Sequence, residues 1–162
     1  MKHKSKPCTS QKQVMDQVVR VLHSEKLRFT FDNKMQSALV PMSGDIQPYT
    51  IIITVAGNVL VFIIPYYLTL PADLEPERLA ALNEKMLSIN DEIGLLKFSL
   101  NKKRSEVTLS VELPWKFTVL NAKAITSFMR LINTTASTRQ REFVSAAIPK
   151  PTRSRPEQVA HS

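Results

Sequence analysis

The stretch Tyr49-Thr50-Ile51-Ile52-Ile53-Thr54-Val55-Ala56-Gly57-Asn58-Val59-Leu60-Val61-Phe62-Ile63-Ile64 decides the fold. Two β-branched runs, 49–56 and 59–64, meet at Gly57-Asn58, a two-residue connection that tolerates positive φ and closes a tight hairpin. With Ala56 opposite Val59, one face pairs Val55 with Leu60, Ile53 with Phe62, Ile51 with Ile64 and Tyr49 with Tyr66, and reads as core. The other face pairs Ala56 with Val59, Thr54 with Val61, Ile52 with Ile63 and Thr50 with Pro65, so it is only partly polar. Leaving Ile52, Val61 and Ile63 in water forgoes about 1.5–3 kcal/mol each. That sum is comparable with much of the ~5–15 kcal/mol that holds a domain together. The reverse face therefore predicts a cover: the first helix, a C-terminal helix carrying Phe143, Val144 and Ile148, or another polypeptide chain. Ile52, Val59, Val61, Ile63, Phe143, Val144 and Ile148 are accordingly the candidate protein-binding residues.

Working outward from the hairpin, the period of the apolar pattern changes in both directions. On the N-terminal side, Val14, Met15, Val18, Val19 and Leu22 form one helical stripe, and Ser10 with Gln13 has the spacing of a capping box. Leu27, Phe29 and Phe31 then alternate with Arg28, Thr30 and Asp32 as a half-buried strand, and a second strand is expected from about Met35 to Val40, ended by Pro41 and a Gly44-Asp45 turn. On the C-terminal side, Pro76 lies in the first turn of a helix whose stripe is Leu79, Leu82, Met86 and Ile89 and which Gly94 ends. Leu96, Phe98 and Leu100, then Val107, Leu109, Val111 and Leu113, alternate with polar residues in an antiparallel pair that is wet on one side. A third helix from about Asn121 buries Ala122, Ile125, Phe128, Met129 and Ile132, and a short fourth one is expected from Ser137 until Pro149 stops it.

The order α-β-β-(β)-β-α-β-β-α, with no repeat and no βαβ alternation, predicts an α+β domain with an antiparallel β-sheet of about five or six strands. Its expected organisation is a flexible basic arm over 1–9, a single domain over 10–135, a short amphipathic helix over 136–148 and a disordered basic tail over 149–162.

The chain has 162 residues and a formal charge of +8, concentrated at its ends. Residues 1–12 hold four Lys and no acid, while Lys150, Arg153 and Arg155 face a lone Glu157 at the other end. A nucleic-acid reader more often shows a basic face on the folded body. Lys2, Lys4, Lys6, Arg139, Arg141, Arg153 and Arg155 are the candidate phosphate or anion contacts, but no aromatic side chain is interleaved with them for base stacking. A nucleic-acid or ribosome-associated accessory role is therefore the alternative, not the favoured reading.

Catalytic chemistry has few carriers here. The single cysteine, Cys8, excludes an intramolecular disulfide and a Cys-cluster metal site, and it suits a reducing, cytoplasmic setting. His3 and His161 lie at the ends, and His23 has no second His or Cys at ligand spacing. Asp73, Glu75 and Glu77 gather at a helix N-terminus, where the helix dipole accounts for them. Three glycines are too few for a phosphate-binding loop or a dinucleotide fingerprint beside the turns they already serve. No enzymatic activity, cofactor or metal is expected. The segment 51–64 is shorter than the ~18–20 residues a membrane-spanning helix needs, so no membrane span is expected.

Ala81-Leu82-Asn83-Glu84-Lys85, Leu95-Leu96-Lys97-Phe98-Ser99-Leu100, Glu106-Val107-Thr108-Leu109 and Glu112-Leu113-Pro114 resemble the YbjN group, which shares the fold of type III secretion chaperones. The likeness covers roughly residues 10 to 135. It implies a small non-enzymatic protein that dimerises or grips a segment of another protein, and it carries over no catalytic residues. Together with the doubly apolar hairpin, this points to a protein-binding module, chaperone-like or a regulatory adaptor. Such a module acts through its sheet and helix surface, on another protein or on itself as a homodimer.

Overall fold

The structure is a computed structural model that describes residues 10–101, 103–115 and 120–147. The elements run α1 (Gln11–Ser24), β1 (Thr30–Asp32), β2 (Ser37–Met42), β3 (Tyr49–Ala56), β4 (Val59–Thr69), α2 (Pro76–Ile93), β5 (Leu96–Asn101), β6 (Glu106–Pro114) and α3 (Ala122–Ala147). The six strands form one antiparallel sheet in the order β1-β2-β3-β4-β6-β5. Because β4 and β5 each pair antiparallel with β6, they run parallel to one another, and α2 carries the chain across β6 between them.

Local chemistry explains most of the element ends. Ser10 accepts from the Gln13 amide and starts α1. Pro76 opens α2, where its missing N–H costs nothing, and Gly94 closes it at φ +64°. Gly57, at φ +59°, turns β3 into β4, and the register is the one the turn demands: Ala56 faces Val59, Val55 faces Leu60, Thr54 faces Val61, Ile53 faces Phe62 and Ile52 faces Ile63.

Beyond Ile52 and Ile63 the expected pairing of Ile51 with Ile64 and of Tyr49 with Tyr66 is not made. Pro65 cannot donate to a ladder, and β4 bulges there: the four steps from Ile64 to Leu68 match only two steps, Leu109 to Val107, on β6. Tyr66 takes φ +54° and is 57% exposed, while Tyr67 turns into the core instead.

A second departure concerns the C-terminal helices. The expected break before Ser137 is absent, and α3 runs without interruption from Ala122 to Ala147. Thr134, Thr135, Ser137 and Thr138 resemble capping residues. With no Gly or Pro nearby, however, Thr138 simply bonds its hydroxyl back to the Thr134 carbonyl at 2.9 Å, and the helix continues. Burial favours continuity, since Ile125, Met129, Ile132, Ala136, Gln140, Phe143 and Ala147 make one stripe on the sheet.

All three helices contribute to one core with Ala38, Val40, Ile51, Ile53, Leu60, Phe62, Ile64, Phe98, Leu109 and Val111. Aromatic packing fixes α3 against the sheet. Phe143 meets Tyr67 edge to face at 5.6 Å and Phe98 at 4.6 Å, and Phe128 stacks on Phe62 at 6.1 Å. Among the described residues no helix is long and apolar enough to cross a membrane.

Candidate functional site

Strand side chains alternate between two faces, and here the alternation separates a face covered by the helices from one that, among the described residues, has no helix over it. Directly paired residues share a face. The row Phe31, Ala38, Ile53, Phe62, Val111 and Leu96 therefore lies toward the helices, as does the row through Leu60 and Leu113. The intervening row on the reverse face runs Leu39, Ile52, Ile63, Ser110 and Lys97, and the next runs Ser37, Thr54, Val61 and Glu112. Near the hairpin tip, Ala56, Val59 and Pro114 form a third row.

The reverse face is thus mainly apolar over β2, β3 and β4, where Ser37, Thr50 and Thr54 interrupt it, and polar over β6 and β5. Leu39, Ile52, Val59, Val61 and Ile63 are half-buried by their strand neighbours. None of them belongs to the core or packs against it. The first helix, one of the three covers considered, lies on the opposite side, where Val14, Val18 and Leu22 are core.

The second cover fails as well. Phe143 is fully buried and the half-buried Val144 packs against the same core, so both lie on the helix side and neither covers the reverse face. The reason is the continuity of α3, which carries its C-terminal half over Tyr67 and Phe98. Ile148 lies outside the described residues. The docking residues expected from the hairpin, Ile52, Val59, Val61 and Ile63, are gathered on one surface. Leu39 joins them there although sequence reasoning missed it. Its signal was weak: it alternates correctly within β2, but its place beside Ile52 follows only from the β2–β3 register.

The expected anion contacts divide differently. Lys2, Lys4, Lys6, Arg153 and Arg155 lie outside the described residues. Arg139 is bound on both sides, its guanidinium donating at 2.8 Å to Glu92 on α2 and at 2.8 Å to Glu142 one turn along α3. Glu142 is also paired with Lys85 on α2. The hydrogen bonds from Lys85 and then Arg139 hold the Glu142 carboxyl below its ordinary range, and the bond to Glu142 raises the Arg139 guanidinium above its own. Arg141 stands 3.9 Å from Asp45. Arg139 thus ties α3 to α2, while the Arg141 side chain is 75% exposed and its contact with Asp45 is a surface one.

A concavity lies between α1 and α3, a groove of about 150 Å³ lined by Val21, Leu22, Leu27, Met42 and Met129. Glu25 and Arg130 face each other across its rim at 3.8 Å. Below it the Tyr49 hydroxyl donates to Asn133, 2.8 Å from its Oδ1 and 3.0 Å from its backbone carbonyl. Burial, and secondarily Asp45, pushes the Tyr49 phenol up to about 12. Among the described residues no group of three or more His, Cys, Asp or Glu is placed to hold a metal ion.

No protein-family model matches the sequence, and no curated protein matches it. Solved structures do match. The chain superposes on YbjN from E. coli with a TM-score of 0.57 at 12% identity, covering 79% of this chain and 91% of that one. The HopA1-SchA chaperone-effector complex gives a TM-score of 0.57 at 13% identity, over 84% of this chain and 99% of that one. The heterodimeric ExoU-SpcU complex of the type III secretion system of Pseudomonas aeruginosa gives 0.51 at 10% identity, over 81% and 98%. The fold is that of YbjN and the type III secretion chaperones.

Proposed function

We propose that this chain is a non-enzymatic, chaperone-like protein-binding module whose docking surface is the reverse face of its sheet. The observation that carries this reading is the apolar patch of Leu39, Ile52, Val59, Val61 and Ile63, continuous across three strands and without a helix over it among the described residues. Aliphatic side chains at these positions gain nothing from water, and a polar sheet face of Thr and Ser would have served a monomer equally well. Support also comes from the neighbours in fold, one of which is a chaperone-effector complex and another a heterodimeric complex of the type III secretion system. The partner is another polypeptide, or a second copy of the same chain placing the same patch face to face in a homodimer. A reducing, cytoplasmic setting fits the lone Cys8.

The test uses the full chain and its Val61→Lys variant. Val61 is half-buried on the reverse face, so the substitution places a charge in the patch without entering the core. We expect the native chain to run as a dimer in size-exclusion with light scattering, or to retain a specific polypeptide from its own cell extract. Val61→Lys loses that association while melting within a few degrees of the native chain. A monomer in both cases, with identical capture, overturns the reading.

A further inference from the structure

A sheet of this kind has two open edges, and each is a potential template for another strand. One edge is β1, which has only three residues, Thr30–Asp32. The other is β5, six residues long and apolar at alternate positions, Leu96, Phe98 and Leu100. Its surroundings are apolar too. Leu87 on α2 is 69% exposed and Leu95 is 61% exposed, and a groove of about 310 Å³ between α2 and β5 is lined by Met86, Leu87, Phe98 and Leu100. An edge of six residues flanked by the exposed Leu87 and Leu95 invites pairing with a second chain.

The edge is nevertheless occupied at its centre. The Asn90 carboxamide on α2 accepts from the Phe98 N–H at 2.7 Å and donates to the Phe98 carbonyl at 2.9 Å. Since both backbone groups of Phe98 go to Asn90, they point away from β6, and the alternation of an antiparallel ladder aims those of Leu96 and Leu100 outward as well. A primary carboxamide offers one acceptor and one donor with the spacing of a backbone peptide unit, so Asn90 takes the place that a docking strand's central residue would need. Gly94 makes this reach possible: its positive φ reverses the chain so that the last turn of α2 runs alongside β5.

We propose that Asn90 is an edge lock, which closes β5 to strand addition and so confines association to other surfaces of the molecule. The lock needs both halves of the amide. It acts on a different edge and through different atoms from the reverse-face patch, so it does not depend on that patch being a docking site.

The test compares Asn90→Ala with the native residue in full-length chains, each in the native and in the Val61→Lys background. The second background removes association through the reverse face. Sedimentation reads self-association and hydrogen exchange reads the amides of Leu96, Phe98 and Leu100. We expect Asn90→Ala to self-associate at least about tenfold more tightly in both backgrounds, with the Leu96 and Leu100 amides becoming protected as the associated form builds up. A folded Asn90→Ala chain that associates no more than its parent overturns the proposal. So does association that leaves those amides as exchangeable as before. If Asn90→Ala does not fold, Asn90→Ser, polar but too short to span both backbone groups, is put through the same comparison.

Discussion

At the scale of single residues, the most telling contact joins a loop to a helix more than ninety positions away in sequence. The Gln140 side chain is buried in α3, where its Oε1 accepts from the Ile46 N–H at 2.9 Å and its Nε2 donates to the Gln47 carbonyl at 3.0 Å. It fastens the β2–β3 connection to the helix. Gly44 leaves room for it: a Cβ there would stand 2.4 Å from the Gln47 carbonyl oxygen and 2.6 Å from Gln140 Oε1. Its φ is not in the left-handed region, so the need for glycine is steric and not conformational. Gly44→Ala is expected to cost about 1–3 kcal/mol in urea unfolding, the range for overpacking. Alanine at Gly57 meets no such neighbour and strains the backbone alone. The sequence marked Gly44 as a turn residue, which located the loop correctly. It held no sign that residue 140 would press against it, because side-chain approach across the fold leaves no local pattern.

At the scale of elements, α3 is the instructive case. Its apolar stripe was readable in two pieces, and Ser137 read as the start of a separate short helix. Capping residues end a helix only where the chain gains better partners by leaving it. Here the gain lies in continuing, since Phe143 completes an aromatic cluster with Tyr67 and Phe98. Phe143→Ala should therefore lower stability by about 3–5 kcal/mol, as for a core aromatic, while Val144→Ala, at a partly buried position, costs less than half as much. An unchanged urea midpoint for Phe143→Ala would show that the second half of α3 does not pack on the sheet. The β3–β4 hairpin stands at the other extreme. Its turn and the alternation around it are local signals, and five consecutive pairs come out as read. The register fails where Pro65 and two adjacent tyrosines force a bulge.

At the scale of the whole molecule, stability depends on pH through groups that join elements. Burial and then Asp45 raise the Tyr49 phenol from 10.0 to about 12. The unfolded chain thus loses this proton first, and the stability the neutral phenol contributes is intact below pH 10.0 and lost as pH climbs through about 12. The Tyr67 hydroxyl, 2.8 Å from the Ala136 carbonyl, is raised by burial first and shifts in the same direction. Glu142 has the opposite sign. Its carboxyl is held low by Lys85 and Arg139, so its contribution is present above the unfolded carboxylate range and fades as acid protonates it in the folded state. Thermal melts across pH should therefore fall off on both sides, and Tyr49→Phe should flatten the alkaline limb while Glu142→Gln flattens the acid one. Periodicity, turn chemistry and β-branching were enough to reveal an α+β chain, the hairpin and its two apolar faces, because each is written within a few neighbouring residues. Three features were beyond their reach: the insertion of β6 between β4 and β5, the gathering of α1, α2 and α3 on one side of the sheet, and the placement of Asn90 against Phe98. Alternation tells that a strand has two faces, but strands of similar apolar content pair about equally well, and only the closure of the whole chain selects which neighbours meet and which face is left without a helix.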